Sequence, residues 1–208
     1  MPKKAIEDGS FDAEVTPVTF KNRQGEVTVE QDEQPLTANL EKIPKLRPAF
    51  DKDGTVTAAN SSSISDGAAA LVMMRESTAK KRGLKPIARF LGHSSFAQEP
   101  AWFTTAPVSA IRNLLETVGW NVDDVDLFEI NEAFAVVTMA AMKDLDLPAD
   151  KVNVHGGACA LGHPVGASGT RILVTLISAL QKYGKSRGVA SLCIGGGEAT
   201  AMAVEVLS

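Results

Sequence analysis

The stretch from Val165 to Tyr183 constrains this chain more than any other. Its apolar residues Ile172, Leu173, Val174, Leu176, Ile177 and Leu180 point to nearly every side of a helix. Such a helix needs cover on several faces and belongs inside a layered structure. The segments around it supply the layers. Val152 to Val154, Val189 to Ile194 and Ala199 to Val206 read as short strands. Upstream, Ile87 to Phe96 suits a strand, and Val108, Ile111, Leu114, Leu115 and Val118 follow helical spacing up to Gly119. Asp126 to Ile130 reads as a short strand running into an apolar helix that begins near Asn131. Ser65-Asp66 is placed to cap a helix from Gly67 to about Arg82, ended by Gly83. Alternating strands and helices predict a layered α/β fold.

Residues 1–60 are different. They are polar and interrupted by Pro17, Pro35, Pro44 and Pro48, with strand-like pieces only at Val15 to Phe20 and Glu26 to Glu30. They read as a surface excursion, with the main domain at 61–208. A chain of 208 residues is long enough for one sizeable domain, which buries roughly 70% of its unfolded surface. A net charge of -4 with scattered Lys and Arg gives no footprint for nucleic acid. No apolar run reaches the ~18 residues that span a bilayer, and Met1-Pro2-Lys3-Lys4 does not open an apolar leader. With 2 cysteines there is no disulfide framework, and a cytoplasmic setting is expected.

The chemistry-bearing residues lie among glycines. His163 stands in Leu161-Gly162-His163-Pro164, and Cys193 precedes Gly195-Gly196-Gly197. Cys193 taken alone would be a buried, inert thiol. The triple glycine changes that reading, because it removes side chains where a ligand approaches and frees N–H groups to bind an oxyanion. His163 would lie near the positive end of a helix, which keeps an imidazole neutral and available as a base. His155, Cys159 and His163 recur every four residues, but the intervening glycines and Pro164 argue against a helix there, and no metal is expected. Asn131-Glu132-Ala133-Phe134 lies between a strand and a helix. Asn131 could be an N-cap or could position a water at the sheet edge, and Glu132 ranks below His163 as a base. A thiol, an imidazole and bare N–H groups around one carbonyl describe an acyl-transfer site.

Three motifs in order carry a resemblance: Asn131-Glu132-Ala133-Phe134, the glycine-rich run from Asn153 to Gly169, and Cys193-Ile194-Gly195-Gly196-Gly197. Together they resemble the C-terminal half of the thiolase family, and within it the acetyl-CoA acetyltransferases. The likeness extends upstream through Leu46 to Phe50 and Asn60 to Ala70. It implies a layered α-β-α-β-α fold of which this chain supplies the C-terminal half. Residues 1–60 would be the tail of the CoA-binding loop domain and 61–208 the C-terminal domain.

The resemblance also implies a Claisen reaction in which two acetyl-CoA give acetoacetyl-CoA and CoA, or the reverse thiolysis. CoA thioesters are then substrates and no separate cofactor is expected. His163 would activate the nucleophile, Asn131 would hold a water of one oxyanion hole, Cys193 would shuttle the proton and the Gly195 N–H would serve a second oxyanion hole. Ser62 would touch the pantetheine arm, Phe103 stands about where many relatives place a methionine lining the acyl pocket, and Phe134 is expected to bind substrate. Nothing here matches the family's nucleophilic cysteine, so an N-terminal thiolase half or subunit is expected to supply it, in a homo- or hetero-oligomer. The alternative is a non-catalytic thiolase-like module that binds CoA or assembles with other chains.

Overall fold

The computed structural model describes residues 1–207. Its centre is a four-stranded mixed sheet in the order β3-β6-β5-β4, built from β3 (Ala88–Ala97), β4 (Leu127–Ile130), β5 (Arg187–Ile194) and β6 (Glu198–Val206). The pair β4–β5 is parallel, and β6 runs antiparallel to both β5 and β3. The turn at 195–197 joins β5 to β6, as the triple glycine predicts. Gly197 has φ +96, and a Cβ there would lie 2.3 Å from the Gln98 carbonyl oxygen. Only glycine fits both the conformation and the space.

Helix α4 (Ala106–Val118) covers one face of the sheet. Its stripe Val108, Ile111, Leu114 and Leu115 is buried as the spacing predicts, and left-handed Gly119 (φ 69) ends it. Helix α5 (Ala135–Asp144) packs beside it, with Val137 and Ala141 in the same core. The opposite face carries α7 (Ser168–Lys182), whose Ile172, Leu176 and Leu180 meet Leu127, Ala190 and Val204. The result is a three-layer α-β-α unit.

The N-terminal residues provide further cover for α7, which corrects the reading of 1–60 as surface alone. Helix α1 (Pro2–Glu7) buries Ala5, and Phe11 follows it into the interior. The Thr175 hydroxyl of α7 donates to Glu14 (3.1 Å), and Lys182 meets Asp8 at 3.3 Å. Beyond lie the β1–β2 hairpin (Val18–Asn22 and Gly25–Val29) and the one-turn α2 (Glu33–Thr37).

Three further expectations need correction. The predicted helix Gly67–Arg82 is extended as far as Arg75, and only α3 (Glu76–Lys81) is helical. Ser65, Ala69 and Leu71 face inward while Ile64, Ala68, Ala70 and Val72 are exposed, a period of two rather than 3.6. A continuous apolar run leaves helix and strand open, and here contact decides. A Cβ on Gly67 would meet the Pro164 ring at 2.7 Å, so the chain lies flat against that loop. The strand expected at Val152–Val154 is a single bridge, Phe128 to Val152, because Asn153 turns left-handed (φ 48). The helix expected near Asn131 starts at Ala135 with Phe134 as its N-cap residue, so Asn131 is not a cap.

Candidate active site

Two adjacent strands bring the first pair of groups together. The N–H of Asn131, the residue after β4, donates to the Ser191 carbonyl of β5 (2.9 Å), and β5 carries Cys193 at its next-to-last residue. Parallel pairing therefore puts the amide and the thiol at one sheet edge, where open α/β sheets bind ligands.

The glycine-rich loop brings the imidazole. It runs through the single-turn α6 (Ala158–Leu161) and left-handed Gly162 (φ +89), where a Cβ would meet Ser65 Oγ at 2.2 Å. The His163 N–H donates to the Ser63 carbonyl (2.9 Å). Its ring reaches back, with Nε2 3.4 Å from Asn131 Nδ2 and Nδ1 2.5 Å from Ser168 Oγ. Ser168 Oγ in turn donates to the Pro164 carbonyl (3.1 Å). This network assigns the ring proton to Nδ1, donated to Ser168, and leaves the Nε2 lone pair toward Asn131. Asn131 is 1% exposed and its Oδ1 has no protein partner. A buried amide oxygen requires a hydrogen bond, and a water or substrate group beside Asn131 Oδ1 would supply it.

Burial first, and then the Arg171 cation, holds His163 below the ordinary imidazole pKa, so the ring is neutral at pH 7. The sequence attributed this to a helix end; desolvation and Arg171 are the causes found. Burial pushes the Cys193 thiol up to about 11, which leaves only about one thiolate in ten thousand at pH 7. Cys159 is pushed up to about 12, by burial and then by the Glu132 carboxylate. Both thiols are protonated, unactivated groups.

The other candidates take separate places. Gly195 opens the turn after β5, with no atom within 4 Å of where a Cβ would stand. Phe134 is flanked edge-on by Phe50 (6.0 Å) and Phe103 (6.3 Å), which gives an aromatic wall beside the Asn131 loop. The Ser62 hydroxyl and N–H both reach the Ala133 carbonyl at 3.0 Å, stitching residues 61–65 to that loop. His155 meets Tyr183 Oη (3.2 Å) and the Phe11 ring, whereas Cys159 meets Glu132, so the four-residue spacing does not converge on one centre. Glu132 is engaged by Asn153 and the Cys159 N–H, which argues against it as a free base. The sequence reading missed Ser168, Asn153 and Arg171. For Ser168 a signal existed, a small hydroxyl five residues after His163 at the start of a buried helix.

Residues 84–206 match the model of the thiolase C-terminal domain, and residues 2–77 that of the thiolase N-terminal domain. The chain is 51% identical to the cytosolic acetyl-CoA acetyltransferase of Mus musculus over 200 residues, 95% of this chain and 50% of the mouse protein. Among solved structures it superposes on the Bacillus anthracis acetyl-CoA acetyltransferase with a TM-score of 0.96 at 48% identity, covering 99% of this chain and 52% of that one. The human mitochondrial 3-ketoacyl-CoA thiolase gives 0.91 at 39% identity, again covering 99% and 52%. The chain spans about half the length of these relatives.

Proposed function

The chain belongs to the thiolase family, and from that premise we propose that it supplies the acid–base half of an acetyl-CoA C-acetyltransferase site. The observation that carries this reading is the meeting of Asn131 and Cys193 at one sheet edge, with neutral His163 against the Asn131 amide. The names of the mouse and Bacillus anthracis relatives support the substrate, acetyl-CoA, and the mouse name supports a cytosolic setting. No helix among the described residues is long and apolar enough to cross a membrane.

The chemistry balances with one more thiol. His163 Nε2 takes the proton of a nucleophilic cysteine, which attacks the thioester carbonyl of the first acetyl-CoA. Asn131, through a water, and His163 face the developing oxyanion. The CoA thiolate departs and takes the Cys193 proton. The Cys193 thiolate then removes a methyl proton from a second acetyl-CoA. The resulting carbanion attacks the acetyl-enzyme while the Gly195 N–H faces the tetrahedral oxyanion. The released cysteine thiolate recovers its proton from His163, and acetoacetyl-CoA leaves. Thiolysis reverses every step. Ser62 would accept from the pantetheine arm, since its hydroxyl oxygen keeps lone pairs beyond the bond to Ala133. Phe103 and Phe134 would close the acyl end.

Neither Cys159 nor Cys193 suits the nucleophile, so we assign that role to an N-terminal thiolase half or partner chain. The outward side of residues 64–74 supports such an association. Ile64 is 95% and Val72 89% exposed, an extended apolar segment of the kind that pairs with another sheet. Residues 1–60 are read as the tail of the CoA-binding loop domain and 61–208 as the C-terminal domain. The test is acetoacetyl-CoA cleavage by the 208-residue chain alone and with an N-terminal thiolase half. Turnover should need both. An assembly that forms and binds CoA yet never turns over would favour the non-catalytic module.

A further inference from the structure

Asn131 and His163 sit on separate backbone segments, and their contact at 3.4 Å needs something to hold those segments in register. The molecule has such a device immediately behind them.

Asn153 is 2% exposed and left-handed (φ 48), a conformation that costs most residues energy and that Asn tolerates best outside glycine. From there its side chain imitates a neighbouring strand. The Ile130 N–H donates to Asn153 Oδ1 (2.8 Å), and Asn153 Nδ2 donates to the Ile130 carbonyl (2.9 Å). Its own backbone N–H donates to the Phe128 carbonyl (2.9 Å). The amide thus completes the free edge of β4 one residue before Asn131. Those two bonds fix its orientation, so the second Nδ2 proton points to Glu132 Oε1 (3.0 Å).

Glu132 closes the device from the other side of Asn131. Its Oε2 accepts from the Cys159 N–H (3.1 Å), in the short helix that leads to His163. The carboxylate rests on bare backbone, because a Cβ on Gly157 would lie 2.3 Å from its carboxyl carbon. Residues 130 and 132 are therefore both clamped, and one of the clamps reaches the His163 loop.

We propose that Glu132 and Asn153 form a positioning pair, a carboxylate–amide clamp that holds the Asn131 amide against Nε2 of His163. This rests on the reading that Asn131 and His163 act on a thioester. Neither Glu132 nor Asn153 touches substrate. Both act through the two side chains they hold.

Glu132→Gln tests the clamp without changing its shape. The two groups facing the carboxylate are both donors, so an amide can satisfy one of them and must set its NH2 against the other. A long-range 1H–15N spectrum of the imidazoles reads the consequence, and with 3 histidines in the chain it is assignable. In the wild type the His163 ring should be held as the Nδ1-protonated tautomer. In Glu132→Gln the Nδ1 proton should stay donated to Ser168 while the Nε2 signal shifts as its contact with Asn131 loosens, and the buried His155 ring is unchanged and reports an intact fold. In the assembly with the nucleophile-bearing half, kcat should fall about tenfold to a hundredfold with KM nearly constant, the scale of a small misplacement. Asn153→Ala should repeat the effect and also lower Tm. An unchanged His163 spectrum in Glu132→Gln, whose His155 signal is native, overturns the proposal. If the wild-type assembly shows no turnover, the proposed function fails, yet the ring spectra still decide the clamp.

Discussion

The imidazole of His163 is gripped at both nitrogens, by the Asn131 amide at Nε2 and by the Ser168 hydroxyl at Nδ1. Ser168 therefore selects which nitrogen can take a proton. Ser168→Ala removes the acceptor at Nδ1, and the lone pair should no longer be reserved at Nε2. We expect kcat to fall about tenfold or more in the active assembly, with little change in KM. Steady-state kinetics check it, and Ser168→Thr, which keeps a hydroxyl, should recover part of the loss.

Arg171 lowers the His163 pKa from a distance, second to burial. Arg171→Gln removes the cation, so the His163 pKa should rise toward its ordinary value. A rate that needs neutral His163 then loses its acid side earlier. The acid limb of the kcat/KM profile should move to higher pH in the variant; a fixed limb would show that His163 does not set it.

Glu129 gives a stability prediction of definite sign. It is 2% exposed on β4, with Arg171 at 3.6 Å. Burial outweighs that cation and pushes its pKa up to about 8. A raised carboxyl favours folding fully below its unfolded pKa, and the benefit is lost as pH climbs through the folded value. Glu129→Gln should therefore melt close to the wild type at pH 5 and above it at pH 9. Glu14, raised to about 7 mainly by burial, adds a shallower loss in the same direction. Thermal melts across that range measure both.

The aromatic wall predicts chain-length preference. Phe103 packs edge-on to Phe134 and against the core beneath α4 and α5, so it cannot swing away as a methionine would. Each methylene beyond acetoacetyl should cost on the order of 1–3 kcal/mol in kcat/KM. Phe103→Met should narrow the gap between four-carbon and six-carbon 3-ketoacyl-CoA. Equal values in the unmutated assembly would remove Phe103 from the pocket.

What the sequence made legible follows from local physics. The α4 stripe and its glycine stop, the strands around the triple glycine and the buried α7 all carry their signal within a few residues. Asn131, His163 and Cys193 were legible because glycines and strand ends surround them. The extended run from Gly67 to Arg75 was not, because an apolar run has no period until something packs on one side. Nor were Ser168, Asn153 and the role of Glu132. Asn153 and Glu132 lie 21 residues apart and meet only because the chain folds back from β4. Helix α1 was masked by the polar composition around it, although Ala5 and Phe11 are core residues.

Cys193 should move protons without carrying the acyl group. Its thiol is buried and pushed up to about 11, which suits it to protonate a leaving thiolate and then act as a transient base. Cys193→Ala in the assembly should abolish exchange of the acetyl-CoA methyl protons, followed by NMR in deuterium oxide, and still allow the acyl-enzyme to form.

On the proposed division of labour, this chain supplies the acid–base groups and another segment supplies the nucleophile. Peptide mapping by mass spectrometry after brief incubation of the assembly with acetyl-CoA tests it most directly. An acetyl thioester should appear on a cysteine of the N-terminal half and on neither Cys159 nor Cys193. A stable acetyl adduct on Cys193, formed at the rate of turnover, would contradict it.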